Sequence, residues 1–215
     1  MRLLRLVNCS LVFFIGLILS SCATLQTGSM TQSGRQALFR GDNKAALAYF
    51  RQAAERDPNY VYGTALRQNI WSYVGRAEYL NGQFPQARQS LERALKADPQ
   101  EEIARLYLGL TLARTGNYSG GLKEIVAAMK GIYAWLDYVE QAYRFSFGQF
   151  WDPGRTIRNA IEKILAEISD ERSSREQIIA DAEWLGMQME EEVDRAQEQE
   201  SRERSREGGD IGGRN

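Results

Sequence analysis

Few residues in this 215-residue chain could do covalent or metal chemistry. It has no histidine, which removes the commonest general base and the most frequent metal ligand. Its two cysteines are Cys9 and Cys22, both in or beside an N-terminal apolar run. Once Cys22 is modified, the body has no thiol for a disulfide, a metal site or a nucleophile. The 28 carboxylates include no recognisable catalytic pair. No P-loop, dinucleotide fingerprint, zinc pattern or Ser-x-x-Lys nucleophile occurs. Gly208-Gly209-Asp210-Ile211-Gly212-Gly213 lacks the lysine and the following helix of a phosphate loop. In Arg202-Glu203-Arg204-Ser205-Arg206-Glu207 the glutamates cancel the arginines that nucleic acid would need. The expectation is a chain that is no enzyme, takes no cofactor or metal, and binds no nucleic acid.

The reactive residue that remains is Cys22, and its setting defines its chemistry. Arg2 and Arg5 precede the apolar run Leu11–Leu19, and Ser20-Ser21-Cys22-Ala23 follow. This pattern predicts a signal peptide over 1–21. A spanning helix needs about 20 apolar residues, and Asn8 and Ser10 interrupt this run. Leu19-Ser20-Ser21-Cys22 resembles the lipobox of bacterial lipoproteins. The resemblance implies a diacylglyceryl group on the Cys22 sulfur, cleavage before Cys22 and acylation of its amine, with palmitate-type chains as the membrane anchor. Ala23, where inner-membrane retention would use aspartate, implies sorting to the outer membrane with the body facing the periplasm. The mature chain of 194 residues carries 25 basic and 28 acidic groups, enough length for one core or one repeat array. Residues 22–30, polar through Thr24, Gln26, Thr27 and Ser29, read as the lipidated cysteine and a tether.

The elements behind the anchor repeat. Asp57-Pro58 and Asp98-Pro99 each end an alanine-rich amphipathic run, and aligning back from each proline gives a 34-residue frame. Residues 68–101 read Trp71-x-x-Val74-Gly75, Gly82, Ala87-x-x-x-Leu91-x-x-Ala94, Pro99. This resembles the tetratricopeptide (TPR) repeat, a helix-turn-helix with a W-x₂-L-G-x₂-Y…A-x₃-F…P pattern. Residues 27–60 match through Gly34, Ala46, Phe50, Ala53 and Pro58, with a first helix expected to be short or frayed. Residues 102–135 match through Leu108, Gly109, Gly121, Ile125 and Ala128, with Tyr133 where proline should stand. Small residues at Gly34, Gly75, Gly109 and at Ala46, Ala87, Gly121 let two helices approach closely. Phe50, Leu91 and Ile125 fill the gap to the next pair. The seven extra residues Val61–Arg67 are read as an elongated first helix of the second unit, continuing the stripe Leu66, Ile70, Tyr73, Ala77, Leu80. The expected fold is all-α: a TPR-like right-handed superhelical array of antiparallel helix pairs with C-terminal capping helices. About three repeats fill 31–135.

The rest is a helical extension over 136–200 and a disordered tail over 201–215. The aromatic stretch 131–151 offers either a binding surface or a core that seals the array. Asp152-Pro153-Gly154 should open a helix with stripe Ile157, Ile161, Leu165, Ile168. Ser173-x-x-Glu176 should cap a last helix with stripe Ile178, Ala182, Leu185, Met189, Val193, Ala196. Residues 170–215 hold 14 acids against 7 arginines. That acidic segment can fold back on the basic repeats or recruit a basic partner.

In TPR proteins the first helix of each pair lines a concave face that holds an extended peptide or a partner helix. The resemblance places Arg35, Leu38 and Phe39 there in the first unit. Asn69, Ser72, Arg76, Tyr79 and Leu80 follow in the second, and Leu106, Leu110 and Arg114 in the third. Arginine forks suit carboxylates, and tyrosine and leucine give apolar area. The implied role is a membrane-anchored periplasmic scaffold or adaptor for envelope assembly, secretion or cell-wall machinery. Its unknown protein partner would offer an acidic or C-terminal segment. Alternatives are a solute-transport accessory with a small-ligand pocket and a structural oligomer built through the last helix. Segment 173–200 can also occupy the groove itself.

Overall fold

The computed structural model describes residues 25–211, with side chains to 206. The expected signal segment and Cys22 lie outside the described residues. The chain divides into two compact units, Met1–Pro99 and Gln100–Asn215.

In the first unit, residues 25–39 form α1 and Asn43–Arg56 form α2. The turn between them uses Gly41 at φ +73, and Asp42 caps α2 by accepting from the Ala45 N–H at 3.0 Å. Residues 25–30 are helix, not tether, and the first helix is neither short nor frayed. The polar composition misled: Thr27 and Thr31 are fully buried, and the Thr31 hydroxyl donates to the Thr27 carbonyl at 2.9 Å. Gly34 lies flat against Phe50, where a Cβ would come 2.4 Å from the ring. Phe50 joins Ala37, Ala46, Ala53, Ile70 and Tyr73 in the core.

The seven extra residues are not helical. Val61–Tyr62 (β1) pairs antiparallel with Gln68–Asn69 (β2), Val61 opposite Asn69. The chain reverses at Gly63, φ +91, where a Cβ would lie 2.2 Å from the Leu66 carbonyl. Asn69 then caps the next helix, accepting from the Trp71 N–H at 2.9 Å. That cap and that glycine override the apolar stripe, which holds only from Ile70 onward. Helix α3 (Ile70–Leu80) packs against α4 (Phe84–Ala97) through Gly75 on Leu91. Ala87, Leu91 and Ala94 are fully buried, as the repeat frame requires. Helices α2 and α4 end alike: Asp57 and Asp98 are extended (ψ 96 and 99), the conformation a following proline imposes.

In the second unit α5 (Glu102–Arg114) packs along α6 (Tyr118–Ala142). With Tyr133 in place of proline, α6 runs straight through residue 135, where the repeats were expected to give way to the extension. A short 3₁₀ turn, Phe147–Phe150, leads to α7 (Thr156–Ser169) and α8 (Arg175–Ile211). Asp152 caps α7 from a distance, accepting from the Ile157 and Arg158 N–H groups at 3.0 and 3.1 Å. Pro153 is not the first helical residue, because Asp152 and Arg155 both take left-handed φ (44 and 53). The buried stripe of α7 is Ile157, Ile161 and Ile164, with Leu165 and Ile168 only half-buried. Ser174, not Ser173, caps α8, accepting from the Gln177 N–H at 3.1 Å. Every residue of the expected α8 stripe is buried. Helix α8 continues to Ile211, through residues expected to be disordered. Arg202–Glu198 (2.6 Å), Arg204–Glu200 and Arg206–Glu203 (3.2 Å) support that extension.

One buried charge organises the second unit. Arg158 is fully buried and donates to Asp152 at 3.0 Å and to Glu140. Burial works to lower its pKa, but hydrogen bonds to Glu140 and Asp152 and their charges outweigh it and raise it.

Candidate functional site

The first helix of each pair carries the expected partner-binding positions, and the structure places each one. On α1, Arg35 is fully buried. Its Nη1 donates to the Tyr62 hydroxyl at 2.8 Å, and its guanidinium lies 4.7 Å from the Tyr62 ring. The Tyr62 hydroxyl donates in turn to Gln32 at 2.8 Å. The ring meets Tyr73 edge-on at 6.0 Å. The hairpin thus lays Tyr62 over the face that Arg35 was expected to open to a ligand. Leu38 is half-buried, while Phe39 is 43 % exposed, 5.9 Å from the Arg35 guanidinium.

On α3 the expected residues face inward. Asn69 is the helix cap, and Ser72, Arg76 and Tyr79 are all buried. Tyr79 tilts against Phe84 at 5.5 Å within its own helix pair. Leu80 is half-buried. Glu78, which replaces the signature tyrosine, binds Arg51 of α2 at 2.8 Å and Ser90 of α4 at 2.7 Å, tying three helices together.

On α5, Leu106 and Leu110 are fully buried, and Arg114 is exposed but paired with Glu183 of α8 at 2.8 Å. Helix α8 lies on α5 with Gly186 against Tyr107. A Cβ at 186 would sit 2.6 Å from the Tyr107 hydroxyl, so glycine sets this approach. The acidic last helix therefore engages Arg114, one of the α5 positions that the resemblance reserved for a partner. Sequence reasoning missed Tyr62 and Gly186. A glycine inside the apolar stripe of α8 was the available signal for the second.

The aromatic stretch splits. Trp151 is buried edge-on to Trp135 at 4.8 Å, and Ile132, Leu136 and Val139 are buried beside it. Tyr138 (59 %) and Phe145 (90 %) are exposed. Among the described residues no group of three or more His, Cys, Asp or Glu is placed to hold a metal ion, and no helix is long and apolar enough to cross a membrane.

Comparison with known proteins found no match to the chain among curated proteins. Among family models, the tetratricopeptide repeat matches residues 75–134, from Gly75 of α3 into the second half of α6. These residues form the pairs α3–α4 and α5–α6, each closed by a glycine seated on its partner helix. The described chain is accordingly all-α apart from one small hairpin, with TPR-like helix pairs of the kind that bind other proteins.

Proposed function

We propose that this chain is a lipid-anchored scaffold that holds a protein partner on the periplasmic side of the outer membrane, as part of envelope assembly, secretion or cell-wall machinery. The observation that carries the reading is the repeat match over two well-packed helix pairs. The resemblance of Leu19–Cys22 to a lipobox, with Ala23 after it, supports that location. An acidic amphipathic segment is the partner chemistry best supported. The face of α5 already accepts such a helix in the chain's own α8, through the Arg114–Glu183 pair. In the first unit the exposed part of the expected face is Phe39.

Two experiments test the reading. Cys22→Ser removes the sulfur that takes the diacylglyceryl group, so the protein should appear as precursor or in the soluble periplasm. Intact mass of the mature N-terminus decides it, and an unmodified Cys22 in native protein overturns the anchor. For the partner face, a photo-crosslinking amino acid at Phe39 should give one discrete adduct in whole cells. The same probe at Tyr49, 38 % exposed on the second helix of the pair, should give none. Equal adducts at both, or none at Phe39, remove α1 as the binding helix.

A further inference from the structure

We propose that the cleft between the end of α6 and the Asp152–Arg155 loop binds a neutral carbohydrate. The inference stands apart from the protein-binding role and rests on the second unit alone. The cleft has a volume of about 660 Å³, within the roughly 300–1,000 Å³ of small-ligand sites. Asp137, Glu140 and Gln141 line it from the last turns of α6, and Arg144 lines it just beyond the helix end. Gln149 and Arg155 also line it, exposed Pro153 gives an apolar part of the wall, and Trp151 is buried behind it.

The balance of these groups selects the ligand. Two carboxylates and two guanidiniums cancel, so an anion meets Asp137 and Glu140 and a cation meets Arg144 and Arg155. A purely apolar ligand would desolvate six polar side chains without compensation. A neutral molecule with many hydroxyls and one apolar face meets acceptors, donors and amides that do both. That is a sugar ring.

The site is also held in place before any ligand arrives. Gln141 donates to Asp137 at 2.8 Å, and buried Arg158 fixes both Asp137, at 3.5 Å, and Glu140. Arg155 stands 3.9 and 3.8 Å from the same two carboxylates. Its backbone is left-handed, φ 53, a strained conformation that the loop maintains, and its guanidinium donates to the Tyr133 hydroxyl at 3.1 Å. Ordered side chains lose less entropy on binding, which favours a weakly hydrophobic ligand such as a sugar. At the rim, Arg144 lies 5.0 Å from the ring of Phe145, whose 90 % exposure gives a second sugar unit a face to stack on.

The test uses the mature protein and saturation-transfer NMR with tetra-N-acetylchitotetraose, maltotetraose and cellotetraose. At least one should receive saturation at its ring protons, with chemical-shift changes at the Trp151 indole. Gln149→Ala with Arg144→Ala should weaken that binding about tenfold or more with an unchanged thermal melt. If the double variant unfolds, Gln149→Ala alone, at an exposed position, carries the test with a several-fold loss. No transfer to any of the three up to about 10 mM overturns the proposal. So does undiminished binding by a folded variant, or tighter binding of a phosphorylated sugar than of its neutral parent.

Discussion

Gly121→Leu should unfold the second unit or cost it about 3 kcal/mol or more. A Cβ at 121 would lie 2.5 Å from the Gly109 carbonyl oxygen and 2.6 Å from the Ala113 nitrogen. Both are backbone atoms, so neither can swing aside, and α5 and α6 must separate along their whole contact. The reciprocal change at Gly109 meets the Gly121 carbonyl at 2.8 Å. Gly121→Ala tests the same contact more gently. Alanine gains about 1 kcal/mol of helix propensity over glycine, which offsets part of the overlap, so a net loss of about 1–2 kcal/mol is expected. Gly75→Ala is the control, since its Cβ would meet chiefly the Leu91 side chain, with the nearest backbone atom, the Ala87 carbonyl oxygen, at 3.2 Å. Urea unfolding of the three variants should rank them Gly121→Leu, Gly121→Ala, Gly75→Ala from least to most stable. A Gly121→Leu protein with wild-type stability would mean that α5 and α6 do not touch backbone to backbone.

That contact was legible in the sequence because it is a steric rule written at fixed spacing. Ala46 and Ala87, and Phe50, Leu91 and Ile125 one turn on, are all fully buried, as the frame demands. The groove was not legible for the opposite reason. Whether a residue on the first helix is open depends on what covers it, and the covers come from far along the chain. Tyr62 reaches Arg35 across 27 residues and Glu183 reaches Arg114 across 69. No local period encodes either. The hairpin failed at sequence level because Leu66, Ile70 and Tyr73 continue a helical stripe, while the deciding features were one glycine and one asparagine cap. The tail failed because beyond Ala196 only Ile211 is aliphatic or aromatic, so no buried stripe marks a helix, and the interleaved Arg and Glu were left out of account. At spacings of three and four the same residues stabilise a helix by about 0.2–0.5 kcal/mol per pair. The candidate carbohydrate cleft was invisible as well: its walls join α6, a 3₁₀ turn and a loop whose left-handed residues, Asp152 and Arg155, carry no sequence signature.

Deleting residues 170–215 should leave the second unit unfolded or aggregating. Helix α8 packs on α5, on α7 and on the 3₁₀ turn, and buries Ile178, Leu185, Met189 and Val193 almost completely. Full burial of each such side chain contributes about 1.5–3 kcal/mol, so their gross loss reaches the 5–15 kcal/mol that holds a whole domain together. Polar ties go with them: Glu183 leaves Arg114, and Glu192 leaves the Asp152 N–H beside the α7 cap. The core of the first unit, Phe50, Ile70 and Tyr73 with their alanines, comes from residues 37–77 and stays in the truncated chain. Hydrogen exchange should therefore show lost protection in α5, α6 and α7 with helix α2 still protected. Dye binding should rise as the buried face of α5 around Tyr107 opens. Gly186→Leu separates packing from mere length. It keeps every charge of α8 but drives a side chain against Tyr107, which is 1 % exposed and whose hydroxyl lies 2.6 Å from a Cβ at 186. If that variant frees α8 while α5–α6 stay folded, the α5 face is a switchable site, covered in cis and open to an acidic partner helix in trans. If it instead unfolds α5 and α6 together, α8 is a structural wall, and partner binding must lie on exposed surface such as Phe39.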